Sequence, residues 1–160
     1  MNPPSKPSPS HLTLRRCVQA DDAGWLRLRQ ALWPECPRDE HLAEMADIVA
    51  APERWAVFLA YSDALPDAVG LAEVALRDDY VNGTASSPVA FLEGVYVDPR
   101  YRRQGAARLL AGAVQRWAAQ AGCTELASDA LIDNVHSHAL HRALGFVETE
   151  RVVFFNKRLR

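Results

Sequence analysis

The stretch from Val89 to Ala121 constrains the fold more than any other part of the chain. Val89 to Val97 is an almost unbroken run of apolar, strand-forming residues, interrupted by Glu93 and halted by Pro99. A basic loop with Arg100, Arg102 and Arg103 follows, and Gly105 to Ala121 then reads as an amphipathic helix. Its apolar face carries Leu109, Leu110, Ala113, Val114 and Trp117, and Gly122 ends it. A buried strand running straight into such a helix requires a sheet for the helix to cover. The start of a helix also leaves several backbone N–H groups without partners, and the helix dipole makes them an anion site. Gly105 would let a pyrophosphate approach, with Arg102, Arg103 and Arg108 adding positive charge. Neither a Walker loop nor a GxGxxG dinucleotide pattern is present.

The remaining chain supplies the rest of a sheet protein. Leu12 to Gln19 alternates like a strand, and Asp21 or Asp22 caps a helix through Trp25, Leu28 and Leu32. Asp39 is the expected cap of a second helix through Leu42, Met45 and Val49. Trp55 to Tyr61 and Ala68 to Arg77 read as strands, and Asn82-Gly83 is a turn signal. Glu125 to Ala127 is a short strand, Asn134 caps a helix reaching Leu144, and Phe146 to Lys157 is expected to return as one or two strands. The order β-α-α-β-β-β-α-β-α-β defines an α/β (α+β) protein, a central mixed sheet flanked by about four helices.

With 160 residues and 49% hydrophobic side chains, residues 12–160 fit one domain. The first eleven, MNPPSKPSPSH, bury almost nothing and are expected to be a disordered tail. A net charge of −2, from 18 basic and 20 acidic residues, gives no field for a polyanion, so no nucleic-acid partner is expected. No run of about 18 to 20 apolar residues exists to span a membrane, and Cys17, Cys36 and Cys123 form no paired spacing. A cytoplasmic protein is expected. His136, His138 and His141 do not form a metal site: His136 and His138 lie about 200° apart on a helix, with no Glu or Cys cluster to complete the set.

Arg102-x-x-Gly105-x-Ala107 after the strand end, together with Asn134 and Ala143-Leu144-Gly145-Phe146, resembles the acetyl-CoA motifs of the GNAT superfamily of N-acetyltransferases. The resemblance implies acetyl-CoA as co-substrate and no metal. Its pyrophosphate would lie on Arg102, Arg103, Gln104, Gly105, Ala106 and Ala107, and Asn134 would be a further contact to the co-substrate. Its pantetheine arm would lie in a gap between splayed parallel strands, Glu93 to Val97 and Glu125 to Asp129, where Val95, Tyr96 and Val97 hold the thioester carbonyl. Gln30 to Pro34, Arg77 to Gly83, Ser86 to Pro88, Phe91 to Gly94 and Ala127 to Asp129 are further similar to the aminoglycoside 6'-N-acetyltransferases.

That resemblance implies a polycationic acceptor, for which carboxylates and flat walls are the natural site. Trp33 and Tyr80 are the candidate walls. Glu93, an acid in an apolar strand, must be compensated by a substrate amine or by an arginine. Asp129 would contact the reacting amine or merely cap a turn, and Asp79 and Glu150 are candidates for the same pocket or simply surface groups. An ammonium has no lone pair, so a base is needed, assigned to Glu93 with Asp129 assisting. Many members of the superfamily carry an acidic tyrosine where this chain has His141, which either protonates the leaving thiolate or is a hydrogen-bonded structural residue. The Val152-Val153-Phe154-Phe155 run should be buried by helices or a second subunit, and a homodimer is expected. Rival readings are a polyamine, metabolite or protein amine as acceptor, or a non-catalytic acyl-CoA-binding module.

Overall fold

The computed structural model describes residues 11–159. The expected tail, apart from His11, lies outside them. His11 itself is tied to the sheet: its N–H donates to Asp63 Oδ1 at 3.1 Å, and its carbonyl accepts from the Asp63 N–H.

Five strands, β1 (Leu12–Cys17), β2 (Trp55–Ser62), β3 (Ala68–Arg77), β4 (Val89–Val97) and β5 (Leu126–Ser128), form one sheet in sequence order. The first four pair antiparallel, and β4 with β5 is parallel. The helices are α1 (Ala23–Leu32), α2 (Arg38–Ala50), α3 (Ala106–Gln120) and α4 (Val135–Ala143), with a 3-10 turn at Pro99–Tyr101.

Both faces of the sheet are covered, which is why β2 and β3 are apolar on successive residues rather than alternating. On one face Ala56, Phe58, Val69 and Val74 meet Leu110, Ala113, Val114 and Ala118 of α3. On the other, Val57, Leu59 and Leu71 meet Trp25 and Leu28 of α1 and Met45 and Ile48 of α2. Leu110 and Val114 are fully buried, and each contributes about 1.5–3 kcal/mol.

Local chemistry sets the helix starts. Asp22 caps α1, its Oδ1 accepting the Trp25 N–H at 2.8 Å. The expected cap of α2 at Asp39 is corrected: Pro37 holds the cap position without a side-chain bond, and Asp39 and Glu40 sit in the first turn. There they still face the positive end of the helix dipole.

A larger correction concerns the C-terminus. Residues 146–159 form no strand, and α4 has no buried residue. Val153, Phe154 and Phe155 are 76%, 88% and 94% exposed, so nothing among the described residues covers the run expected to be buried. Strand-forming composition does not make a strand without an edge to pair with.

Candidate active site

Two irregularities in β4 position the site. Opposite β3 the register steps from Val74↔Leu92 to Glu73↔Gly94, leaving Glu93 as the extra residue of a β-bulge. Opposite β5 the pairing ends at Leu92↔Ser128, so β4 from Glu93 to Val97 has no strand on that side. A bulge re-aims one side chain and locally twists its strand. Here it turns out Glu93 where the two parallel strands part, leaving a notch edged by unpaired backbone groups.

Glu93 is compensated within the chain. Arg77 donates from Nη2 to both carboxylate oxygens at 2.8 and 2.9 Å, and from Nε to Oε1 at 3.2 Å. The guanidinium lies over the Phe91 ring, 3.5 Å from its centre. Around this pair opens a cleft of about 390 Å³ that Asp78, Asp79, Tyr80 and Trp55 also line. Tyr80 is 77% exposed, so it flanks an open groove rather than a closed slot.

Trp33 reaches the same place from the end of α1. Its ring lies so close over Gly94 that a Cβ there would be 2.6 Å from Cη2 and 2.7 Å from Cζ2. A buried network fixes the ring from beneath. Arg29 donates from Nη1 to both oxygens of Glu73, at 3.2 and 3.1 Å, and from Nε to His41 Nδ1 at 3.2 Å. Accepting at Nδ1 leaves the His41 proton on Nε2, which donates to the Trp33 carbonyl at 3.3 Å. Arg29 also pairs with Glu44 and lies 5.0 Å from the Trp33 ring centre. Burial pushes the Glu73 carboxyl above its usual range, while Arg29 and the Trp25 indole N–H pull it back.

At the far end of β4, Asp98 caps the 3-10 turn and binds Arg100 at 2.8 and 3.1 Å. The bond from Arg100 holds its carboxyl at about 2. Arg103 (φ 61°) and Gly105 (φ 94°) both take left-handed backbone, which curls the loop into the start of α3. No side chain caps that helix, and its first intrahelical bond runs from the Leu109 N–H to the Gly105 carbonyl. The amides before it are unsatisfied, and a Cβ on Gly105 would meet nothing within 4 Å. Among the described residues neither Arg103 nor Arg108 has an acidic partner. Open space, unsatisfied amides and free cations fit a pyrophosphate. Arg102 is engaged otherwise, donating from Nε to the Val97 carbonyl at 3.0 Å.

Beside the notch, Ser128 Oγ lies 3.0 Å from the Leu92 carbonyl and 2.8 Å from His141 Nε2. His141 Nδ1 is 2.7 Å from the Ser137 carbonyl. Asp129, the next residue, is exposed.

The fold therefore brings Asp79, Tyr80 and Glu93 to one cleft, sets Trp33 over Gly94, the neighbour of Glu93, and places Asp129 and His141 at the notch. Val95, Tyr96 and Val97 lie on the edge of β4 that β5 does not reach, and Arg103 to Ala107 form the loop and first residues of α3. Asn134 is occupied as the cap of α4, its Oδ1 accepting the Ser137 N–H at 3.1 Å. Glu150 sits in the irregular C-terminal segment and does not line the cleft. Sequence reasoning missed Arg77 as the partner of Glu93, Gly94 as the seat of Trp33, the Arg29–Glu73–His41 network and Ser128. The only available signal was charge in apolar segments, at Arg29 in α1 and Glu73 in β3.

A sheet with β4 and β5 splayed beyond a bulge, above an anion-binding helix start, is the arrangement of the acetyl-CoA-dependent acyltransferases. The description of the acetyltransferase (GNAT) family matches residues 23–146, and this chain belongs to that family. Its relatives narrow the class. It is 53% identical over 143 residues to the aminoglycoside N(6')-acetyltransferase type 1 of Stenotrophomonas maltophilia, covering 89% of this chain and 91% of that one. With the enzyme of the same name from Serratia marcescens it is 56% identical over 135 residues, covering 84% and 91%. Among solved structures, AAC(6')-Iy in complex with the bisubstrate analogue CoA-S-monomethyl-acetylneamine matches with a TM-score of 0.87 at 46% identity, covering 94% of this chain and 100% of that one.

Proposed function

We propose that this chain transfers the acetyl group of acetyl-CoA to the 6'-amine of aminoglycoside antibiotics, by direct attack of the amine on the thioester. The observation that carries the acceptor reading is the cleft at the bulge beside the β4–β5 notch, where Asp78, Asp79 and Glu93 converge; Arg54 pairs with Asp78 and Arg77 with Glu93, so Asp79 is the carboxylate left without a basic partner among the described residues. A polycation binds where several carboxylates converge and flat side chains cover its sugar rings. Relatives at about half identity carry the activity in their names. Acetylation removes a cationic amine from the drug, so resistance is the expected consequence.

In this reading the co-substrate pyrophosphate rests on the amides from Arg103 to Ala107, with Arg102 and Arg103 supplying charge and Asn134 lying on the pantetheine side. The pantetheine lies along Val95 to Val97, whose unpaired N–H groups stabilise the oxyanion of the tetrahedral intermediate. Trp33 and Tyr80 wall the acceptor, Asp79 and Glu93 hold its ammonium groups, and Asp129 faces the reacting ring. Glu150 can add to this set only if the C-terminal segment is rearranged. Proton uptake at Glu93 requires the Arg77 pair to open first.

The bare Val152 to Phe155 run supports a homodimer whose second subunit covers it, because an apolar stretch so exposed is a contact surface. Light scattering that finds only monomer at micromolar concentration would remove the dimer. Residues 12–160 act as one domain in this reading, in the cytoplasm, where acetyl-CoA is found.

The test follows release of CoA thiol with kanamycin or tobramycin, which carry a 6'-amine, against paromomycin, which carries a 6'-hydroxyl. Turnover confined to the amines supports the reaction and its position. Silence with all three, despite acetyl-CoA binding, redirects the acceptor to polyamines or protein amines.

A further inference from the structure

We propose that Ser128 and His141 form a proton shuttle, in which the Ser128 hydroxyl takes the proton of the attacking amine, passes its own to His141, and later returns one to the departing thiolate. The inference rests on the acetyl-transfer reading above and assigns it a proton path.

His141 Nδ1 lies 2.7 Å from the Ser137 carbonyl, which only accepts, and 3.2 Å from the Ser137 hydroxyl, so the shorter contact favours a proton on Nδ1. In the neutral ring Nε2 then carries a lone pair, and it faces Ser128 Oγ at 2.8 Å. Ser128 has one hydrogen and two acceptors in reach, His141 Nε2 and the Leu92 carbonyl at 3.0 Å. With the ring neutral, the hydroxyl donates to Nε2. With the ring protonated, Nε2–H donates to Oγ and the hydroxyl turns to Leu92. Both states satisfy every group without moving a heavy atom, as a shuttle requires.

Position points the same way. Ser128 is the last residue of β5 and pairs with Leu92, one residue before the bulge where β4 and β5 part. Its hydroxyl thus stands at the apex of the notch, on the carbonyl of Leu92, the residue before Glu93, whose oxygens both already accept from Arg77. The surroundings of His141 are Ser128 from β5, Ser137 on its own helix and the Phe146 ring at 5.2 Å. Among the described residues no acidic or basic side chain pairs with it, since Arg142 beside it is taken by Glu148.

The step balances. As nitrogen bonds the thioester carbon, the carbonyl pair moves to oxygen, the amine proton moves to Ser128 Oγ, and the serine proton moves to His141 Nε2. On collapse the oxyanion pair re-forms the carbonyl and the C–S pair leaves on sulfur. The imidazolium returns its Nε2 proton through Ser128 to the thiolate. The N–H lost equals the S–H gained, with no outside acid.

The test is kcat for the wild type, Ser128→Ala, Ser128→Thr, His141→Gln and the double variant at one pH, with acetyl-CoA affinity measured by calorimetry. Ser128→Ala and His141→Gln should each lose about 10²- to 10⁴-fold in kcat. The double variant should be no worse than the slower single one, threonine should restore most of the rate, and acetyl-CoA binding should change less than about threefold. A kcat within threefold of wild type for Ser128→Ala overturns the shuttle. A wild type inactive on every 6'-amine refutes the acceptor reading instead. The ¹⁵N shifts of His141 then decide the shuttle: an Nε2–H tautomer overturns it, and an Nδ1–H tautomer perturbed by Ser128→Ala supports it.

Discussion

Replacing Gly94 with alanine adds one methyl group at the point where α1 touches the β4 bulge. That methyl would stand 2.6 Å from Trp33 Cη2, 2.7 Å from Cζ2 and 2.8 Å from Leu32 Cδ2, against an ordinary contact of 3.4–4 Å. The indole must retreat by about 1 Å, yet Arg29 and the His41 bond to the Trp33 carbonyl hold it down. Overpacking of this kind costs about 1–3 kcal/mol, and three simultaneous contacts place Gly94→Ala in the upper half of that range. In a chain of this size the melting temperature should fall by about 4–10 °C. A wall displaced by that distance next to Glu93 should lower kcat/KM for the aminoglycoside by about 10- to 100-fold. The KM for acetyl-CoA should stay within twofold, because the anion loop lies at the other end of β4. Steady-state kinetics and thermal melts on Gly94→Ala, Trp33→Ala and the double variant form a cycle. If the clash is the cause, most of the stability cost of Gly94→Ala disappears in the Trp33→Ala background. Equal costs in both backgrounds would refute the placement of Trp33 on Gly94.

Gly105→Val should raise the KM for acetyl-CoA at least tenfold. The left-handed φ of 94° costs a side chain roughly 1–2 kcal/mol and displaces the amides that meet the phosphates; calorimetric titration with CoA checks it. Glu73→Gln leaves the Arg29 guanidinium buried with only Glu44 as acidic partner, and should cost about 3 kcal/mol in urea unfolding. Asp98→Asn should cost about 1 kcal/mol at pH 7, by weakening the cap and removing the charge that Arg100 meets. The folded carboxyl sits at about 2, below its usual 3.8, so its stabilisation is complete above about pH 4 and is lost as pH falls toward 2. The difference between wild type and Asp98→Asn in thermal melts should therefore shrink over that interval, and a constant difference would refute the assignment.

The pattern of apolar residues alone determined most of the architecture. Val89 to Val97 and the stripe from Leu109 to Trp117 specify a strand and a covering helix through purely local chemistry, and the structure contains both, with Gly105 in left-handed backbone between them. Caps at Asp22 and Asn134 were readable for the same reason, because a cap involves residues only two or three positions apart. The residues that complete the site are joined across the sheet. Arg77 meets Glu93 across 16 positions, Glu73 meets Arg29 across 44 and His141 meets Ser128 across 13. No local period encodes such pairings. They depend on the register of β4 against β3 and β5, and one bulged residue sets that register at the site. The C-terminal run shows the same limit from the other side. Its composition favours a strand, but a strand exists only where an edge accepts it, and among the described residues no edge does. Local sequence determined where α1, α3 and α4 begin and which face α3 buries. Tertiary structure decided which side chains meet, because hydrogen bonds and ion pairs depend on distances of a few ångströms between segments far apart in the chain.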